Sequence, residues 1–202
     1  MTQRITPKGR RTKGNNFELK ISKMLTAWAA GKAEFSRSPL SGSYGSTTHK
    51  TNGDTAGDIV TESVWPFNLE LKNHESFTSL DTLFHSHANV QSFWQQNLGD
   101  ALRVRKVPML ITHRNRSKIY ATVPYSALLH KQLKESGKDY GVFNIRWHDG
   151  PLDIDFSQEV LTFVLDDFLE LYSYDDIITH EKSWFTEWYY RLENDKEMNR
   201  LL

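Results

Sequence analysis

The hexapeptide Phe67-Asn68-Leu69-Glu70-Leu71-Lys72 constrains the fold of this chain more than any other stretch. It alternates apolar and polar residues with a period of two, the mark of a half-buried β-strand. On an extended strand, side chains at i and i+2 leave the same face about 7 Å apart. Glu70 and Lys72 therefore project together, while Leu69 and Leu71 point into the core. Alone, such a pair is an ordinary surface contact worth under ~1 kcal/mol. Two neighbours make it more. Asp58 begins a candidate strand just upstream, where its carboxylate can meet that of Glu70. Two carboxylates forced together repel, and a divalent cation relieves the repulsion; hard oxygen donors suit Mg²⁺, with Mn²⁺ as a substitute.

The second neighbour lies on a helix. Asn15 or Asn16 can cap a helix running to about Ala30, with Gly31 as its stop. Phe17, Ile21, Met24, Leu25, Trp28 and Ala29 share one arc of that helix, and Glu18 falls inside the arc while Lys20 and Lys23 face away. A carboxylate on a buried face is costly unless paired. The alternative is a Glu in the first turn interacting with the helix N-terminus. The candidate set is thus Glu18, Asp58, Glu70 and Lys72.

Charge is segregated along the 202 residues, although the net charge is zero. Residues 1–50 carry +8, residues 51–100 carry −6, residues 101–150 carry +7 and residues 151–202 carry −9. Basic walls around an acidic centre suit a polyanion lying across a carboxylate cluster; chance clustering of surface charge is the plain alternative. The absence of cysteine excludes a disulfide framework, a thiolate zinc site and a cysteine nucleophile. The basic N-terminus is followed by no apolar core, and no run approaches the ~18 apolar residues of a membrane span, so the expectation is a soluble, cytoplasmic protein without a membrane partner.

The remaining elements are read from periodicity and turn signals. Residues 1–14 read as a flexible basic arm carrying Arg10, Arg11 and Lys13. Ala33 to Ser38, Asp58 to Val64 and Phe67 to Asn73 read as strands, the first two separated by a long Ser/Thr/Gly-rich loop. A helix from Ala88 to Lys106 precedes the strand 107–113 and its hairpin neighbour 118–123, across Arg114-Asn115-Arg116. Beyond Pro124 a helix to Ser136, short strands at 142–147 and 152–156, and helices near 158–172 and 181–202 are expected. The last carries the stripe Trp184, Phe185, Trp188, Tyr189 and Leu192, read as a packing face on the body or on a second subunit. The expected domains are the arm 1–14, a core 15–123 and an α-rich extension 124–202.

The residues Gly57-Asp58-Ile59 and Glu70-Leu71-Lys72, with a helix before and after the strands, resemble the PD-(D/E)XK nuclease superfamily. Gly57 stands where that pattern usually has proline. The stretches "KGNNFELKISKML" (13–25), "FSRSPLSGS" (35–43), "GDIV" (57–60) and "NLELKN" (68–73) look most like Holliday-junction resolvases of the archaeal type and their phage relatives. The stretch "FWQQNLGDALRVRKVPMLITHRNR" (93–116) is similar to the helix and strand after the motif in phage members. The resemblance covers roughly residues 8–123. It implies an α/β, restriction-endonuclease-like core, helix–three strands–helix–two strands around a mixed central sheet. It also implies a homodimeric, Mg²⁺-dependent endonuclease nicking DNA. Asp58, Glu70 and the Leu71 backbone carbonyl would hold the metal, Glu18 would bind metal or water, and Lys72 would assist the nucleophile. Arg37, Ser38, Ser41 and Ser43 would grip the DNA backbone. Gln96 matches a glutamine often found on the second helix, yet the helical wheel turns it away from the apolar arc.

Other groups weigh less. His85-x-His87, with His74 or His113, lacks a clear third ligand at metal-site spacing. Asp54 could replace Asp58 but is not followed by strand residues. Arg114 and Arg116 suit phosphate contacts or plain solvation, and Asp166-Asp167 and Asp175-Asp176 read as solvated faces or caps. Two other functions fit the same residues: a sequence-specific homing or restriction-type endonuclease whose last ~80 residues read a site, and a non-catalytic nucleic-acid-binding module.

Overall fold

The computed structural model describes residues 7–38, 57–73, 88–149 and 153–194. It is a mixed α/β fold with a five-stranded sheet and, among the described residues, six helices. Helix α1 spans Pro7–Trp28, and a two-residue strand β1 (Ser36–Arg37) pairs antiparallel with β2 (Ile59–Val60). Strand β3 (Phe67–Asn73) is followed by α2 (Ala88–Val104), β4 (Val107–His113) and β5 (Tyr120–Pro124). Helix α3 (Ala127–Ser136) leads into β6 (Tyr140–Asp149) and β7 (Ile154–Val164). The chain closes on α4 (Leu165–Leu171), α5 (Tyr174–Trp184) and α6 (Thr186–Asn194).

The sheet order is β3-β4-β5-β7-β6, with β3 and β4 parallel and the other pairs antiparallel. A parallel pair requires a crossover, which runs through α2. The alternation at residues 67–72 does form a strand, but neither face is solvated. Asn68 and Glu70 are as buried as Phe67 and Leu69. Helix α2 lies over the polar face, where Asn68 Nδ2 donates to Asn97 Oδ1 at 2.9 Å. Strand β3 is also the sheet edge, and the β1–β2 hairpin caps it through Asp58.

Several expectations need correction. The strands expected over 33–38 and 58–64 shorten to Ser36–Arg37 and Ile59–Val60, which pair with each other outside the five-stranded sheet. The helix expected near 181–202 is instead the end of α5 followed by α6, and residues past 194 lie outside the described residues. Helix α1 starts at Pro7, so residues 7–14, expected in a flexible arm, are helical. Proline at the first helical position has the right φ and lacks only a donor that would be unpaired there, and the Lys and Arg that follow are good helix formers. Its end is where Gly31 suggested, with Ala30 and Gly31 both in the left-handed region. The helix expected over 158–172 is strand to Val164 and helix only from Leu165. Val160, Thr162 and Val164 favour extended backbone, and β7 is paired on both sides, with β5 and with β6. Residues 140–164 therefore join the same sheet as the expected core rather than forming an α-rich appendage.

The C-terminal stripe packs on the body of this chain. Trp184, Phe185, Trp188 and Leu192 are buried, Phe185 meets Phe67 edge-on at 5.7 Å, and Trp184 Nε1 donates to Gln132 Oε1 at 2.9 Å. Asp176 closes a capping box with Ser173 at the start of α5, as a cap reading of the paired acids expects. No helix among the described residues is long and apolar enough to cross a membrane.

Candidate active site

Asp58 reaches β3 because the backbone before it can come very close. The Asp58 N–H donates to Leu69 O at 2.9 Å, and the Leu71 N–H donates to Asp58 Oδ2 at 2.8 Å. The aspartate thus replaces the strand partner that an edge strand lacks. Gly57 makes this approach possible: its φ is +88°, and a Cβ there would lie 2.7 Å from Leu69 O. The glycine in place of the usual proline is therefore a steric requirement of this site. On its other side Asp58 O accepts from the Ser38 N–H at 2.9 Å, which ties the hairpin together.

Glu70 is 1 % exposed and belongs to the sheet edge that Asp58 caps. Lys72 Nζ forms an ion pair with Glu70 Oε1. The ammonium also lies 4.9 Å from the centre of the Phe93 ring and donates to Gln96 Oε1 at 3.4 Å. Gln96 is exposed, as the helical wheel suggested, yet it is turned towards the site rather than away from it, because α2 runs along the polar face of β3.

Burial pushes the Asp58 carboxyl up to about 7; the charge of Glu70 and, less, of Glu18 adds to the rise, while the Leu71 N–H and Lys72 oppose it. Burial likewise raises the Glu70 carboxyl, with Lys72 opposing and Glu18 adding. Two buried carboxylates that destabilise each other's charge are the donors a hard divalent cation prefers, so Asp58 and Glu70 fit such an ion chemically. Among the described residues, however, no group of three or more Asp, Glu or His is gathered closely enough to hold a metal by itself. Glu18, 8 % exposed on the inner arc of α1, is paired instead: Arg37 Nε donates to Glu18 Oε2, and Arg37 Nη2 donates to Asn15 Oδ1 at 2.8 Å.

The other expected contacts scatter. Arg114 and Arg116 lie in the β4–β5 turn. Lys72 pairs in register with Thr112 on the parallel strand, so this turn comes directly beyond the end of β3 that carries the lysine. Ser38 is buried, and its N–H is used by Asp58. Lys13 is half-buried on α1. Arg10 and Arg11 are on α1, but their side chains lie outside the described residues, as do Ser41, Ser43, Asp54, His74, His85 and His87. His113 stacks on Phe17 at 5.3 Å and meets Asn73 Oδ1 through Nδ1 at 3.3 Å.

Sequence reasoning took Asn15 for a helix cap, whereas it lies inside α1 and accepts from Arg37, and it missed Phe93 and the buried Asn68–Asn97 pair. Asn68 had a signal, since it shares the parity of Glu70 and Lys72. Phe93 had none, because an aromatic on the apolar arc of a helix reads as core.

One comparison bears on this site. A search of the curated proteins and a search of the solved structures found no match. The model of the family described as "Phage putative PDDEXK endonuclease" matches residues 9–179, most of the chain and well past the expected core boundary at residue 123. The Asp58, Glu70 and Lys72 set therefore stands within a matched span that includes β6, β7 and most of α5, and the chain belongs to this family of phage PDDEXK endonucleases.

Proposed function

We propose that the protein is a divalent-metal-dependent DNA endonuclease that hydrolyses phosphodiester bonds at the edge of β3. The observation that carries this reading is the pair of buried, mutually destabilised carboxylates Asp58 and Glu70 beside Lys72. Asp58, Glu70 and the Leu71 backbone carbonyl would hold the cation, Mg²⁺ with Mn²⁺ as a substitute. When bound, the ion supplies charge stabilisation and a more acidic water.

The chain's own residues do the rest. The Lys72 ammonium is held between Glu70, Gln96 and the Phe93 ring, which keeps a positive charge aimed where negative charge develops on the phosphate. Arg114 and Arg116 suit the phosphates just beyond that end of the sheet, and Arg10, Arg11 and Lys13 on α1 suit the flanking backbone. These contacts carry no sequence information, which fits a substrate recognised by shape.

On that ground the preferred substrate is branched DNA, cut in the manner of a junction resolvase by a homodimer that supplies one site per strand, in the cytoplasm. One observation favours a second reading. Strand β6 forms the far edge of the sheet, and its exposed Asn144 and Arg146 are side chains suited to base edges. That would fit a restriction-type or homing enzyme acting on linear duplex. The deciding assay offers the protein a synthetic four-way junction and a linear duplex of the same sequence with Mg²⁺. Paired symmetric nicks in the junction, with the duplex intact, are expected; efficient cleavage of the duplex overturns the branched-DNA assignment.

A further inference from the structure

Arg37 holds two positions at once. Its guanidinium bridges Glu18 and Asn15, three residues apart on α1, yet its side chain remains 31 % exposed. Its strand is bound to the strand of Asp58: Arg37 pairs with Ile59, and the Ser38 N–H donates to Asp58 O. A group that solvent and phosphate can reach is thus clamped on the one carboxylate of the set that the sheet edge does not hold. The charge of Glu18 raises the carboxyls of Asp58 and Glu70, yet among the described residues no three acids are gathered closely enough to hold a metal while Arg37 is on Glu18.

We propose that Arg37 is a latch on Glu18: without DNA it keeps Glu18 out of the metal donor set, and an incoming backbone phosphate releases Glu18 by taking the guanidinium. This inference rests on the endonuclease reading above, in which Asp58 and Glu70 hold the cation. The exchange is physically easy, because the guanidinium fork matches a carboxylate and a phosphate with the same paired donors. Releasing Glu18 enlarges the donor set from two carboxylates to three only once substrate has arrived. Linkage makes the effect reciprocal, so DNA tightens metal binding and metal tightens DNA binding by the same factor.

Calorimetric titration of the DNA-free protein with Mn²⁺ tests this without reference to activity. Arg37→Gln is expected to bind Mn²⁺ about tenfold more tightly than wild type, within the usual range of coupling between sites. Asn15→Ala, which loosens the latch without changing any charge, should tighten binding by about two- to threefold, and far-UV circular dichroism would confirm that both variants fold. In a Glu18→Gln background the Arg37→Gln change should gain less than about twofold, since the gain acts through Glu18. A short duplex oligonucleotide, added in a Lys72→Ala background to prevent turnover, should tighten Mn²⁺ binding when Arg37 is present and not when it is replaced. No gain from Arg37→Gln and Asn15→Ala, an equal gain without Glu18, or equal tightening by DNA without Arg37 would each overturn the latch. Those failures would leave Asp58→Asn still losing Mn²⁺. Wild-type affinity in Asp58→Asn would instead sink the metal-site reading and the latch with it.

Discussion

Gly57 and Asp58 act as one device. The φ of +88° at Gly57 and the 2.7 Å approach of a virtual Cβ to Leu69 O mean that any side chain there pushes Asp58 off the edge of β3. Gly57→Ala should therefore cost about 1–3 kcal/mol in denaturant unfolding and lower metal affinity as well. Asp58 itself is stored at a cost. Its folded carboxyl is raised from 3.8 to about 7, so its ionisation opposes folding, and the stability it permits is full below pH ~4 and lost as pH rises through 7. Metal-free Asp58→Asn should accordingly melt at least ~2 °C above wild type at pH 8, and the gap should close at pH 4. A cation needs the same carboxylate ionised, so Mn²⁺ affinity should fall by about tenfold between pH 8 and pH 6. A flat pH profile in that titration would contradict the shared role of the group. Glu70 and Lys72 were legible in the sequence because a strand's period of two aims its side chains by parity alone, whereas Asp58 lies just before β2 and is brought to them by backbone contacts with Leu69 and Leu71. The Arg37–Glu18 pair was not, since it joins a helix to a strand nineteen positions away through side-chain geometry that no local pattern records.

At the level of elements, the boundaries of some strands were legible, while those of α1, β1 and β2 were not. Strand β3 and strand β4 run over the residues that alternation and apolar content indicated. Strand β7 was misread because Val160, Leu161, Phe163, Val164, Leu165 and Phe168 satisfy a helical arc as well as a buried strand. Pairing with β5 on one side and β6 on the other decides between them, and pairing partners are invisible locally. Leu161, fully buried in that central strand, reports on this packing: Leu161→Ala should lose about 2–5 kcal/mol of unfolding free energy. A loss under ~1 kcal/mol would mean that the strand is peripheral. Gln96 teaches the same point on a helix, where solvent exposure on the wheel did not preclude contact with the neighbouring strand.

Across the whole molecule, the segregated charges partly answer one another. Lys32 pairs with Asp175, and Lys138 pairs with Asp167 and Glu170, so the acidic C-terminal segment lies against basic groups from earlier in the chain. These pairs are exposed or only half-buried and contribute little stability each. The part-buried and buried contacts matter more: Trp28 Nε1 donates to the carbonyls of Leu169 and Tyr172, and Phe67 packs on Phe185. A chain ending at residue 123 would lose β7 from beside β5 and uncover Ala121 and Val123, both fully buried. Such a fragment is expected to show no cooperative thermal transition, whereas a boundary at 123 between independent units would leave one intact. Chemistry at the edge of β3 is read out by strand nicking with purified protein. With Mg²⁺ and DNA, Asp58→Asn and Lys72→Ala should each cut the rate by at least ~10²-fold while DNA affinity stays near that of wild type. Cleavage by both variants at the wild-type rate would contradict the account.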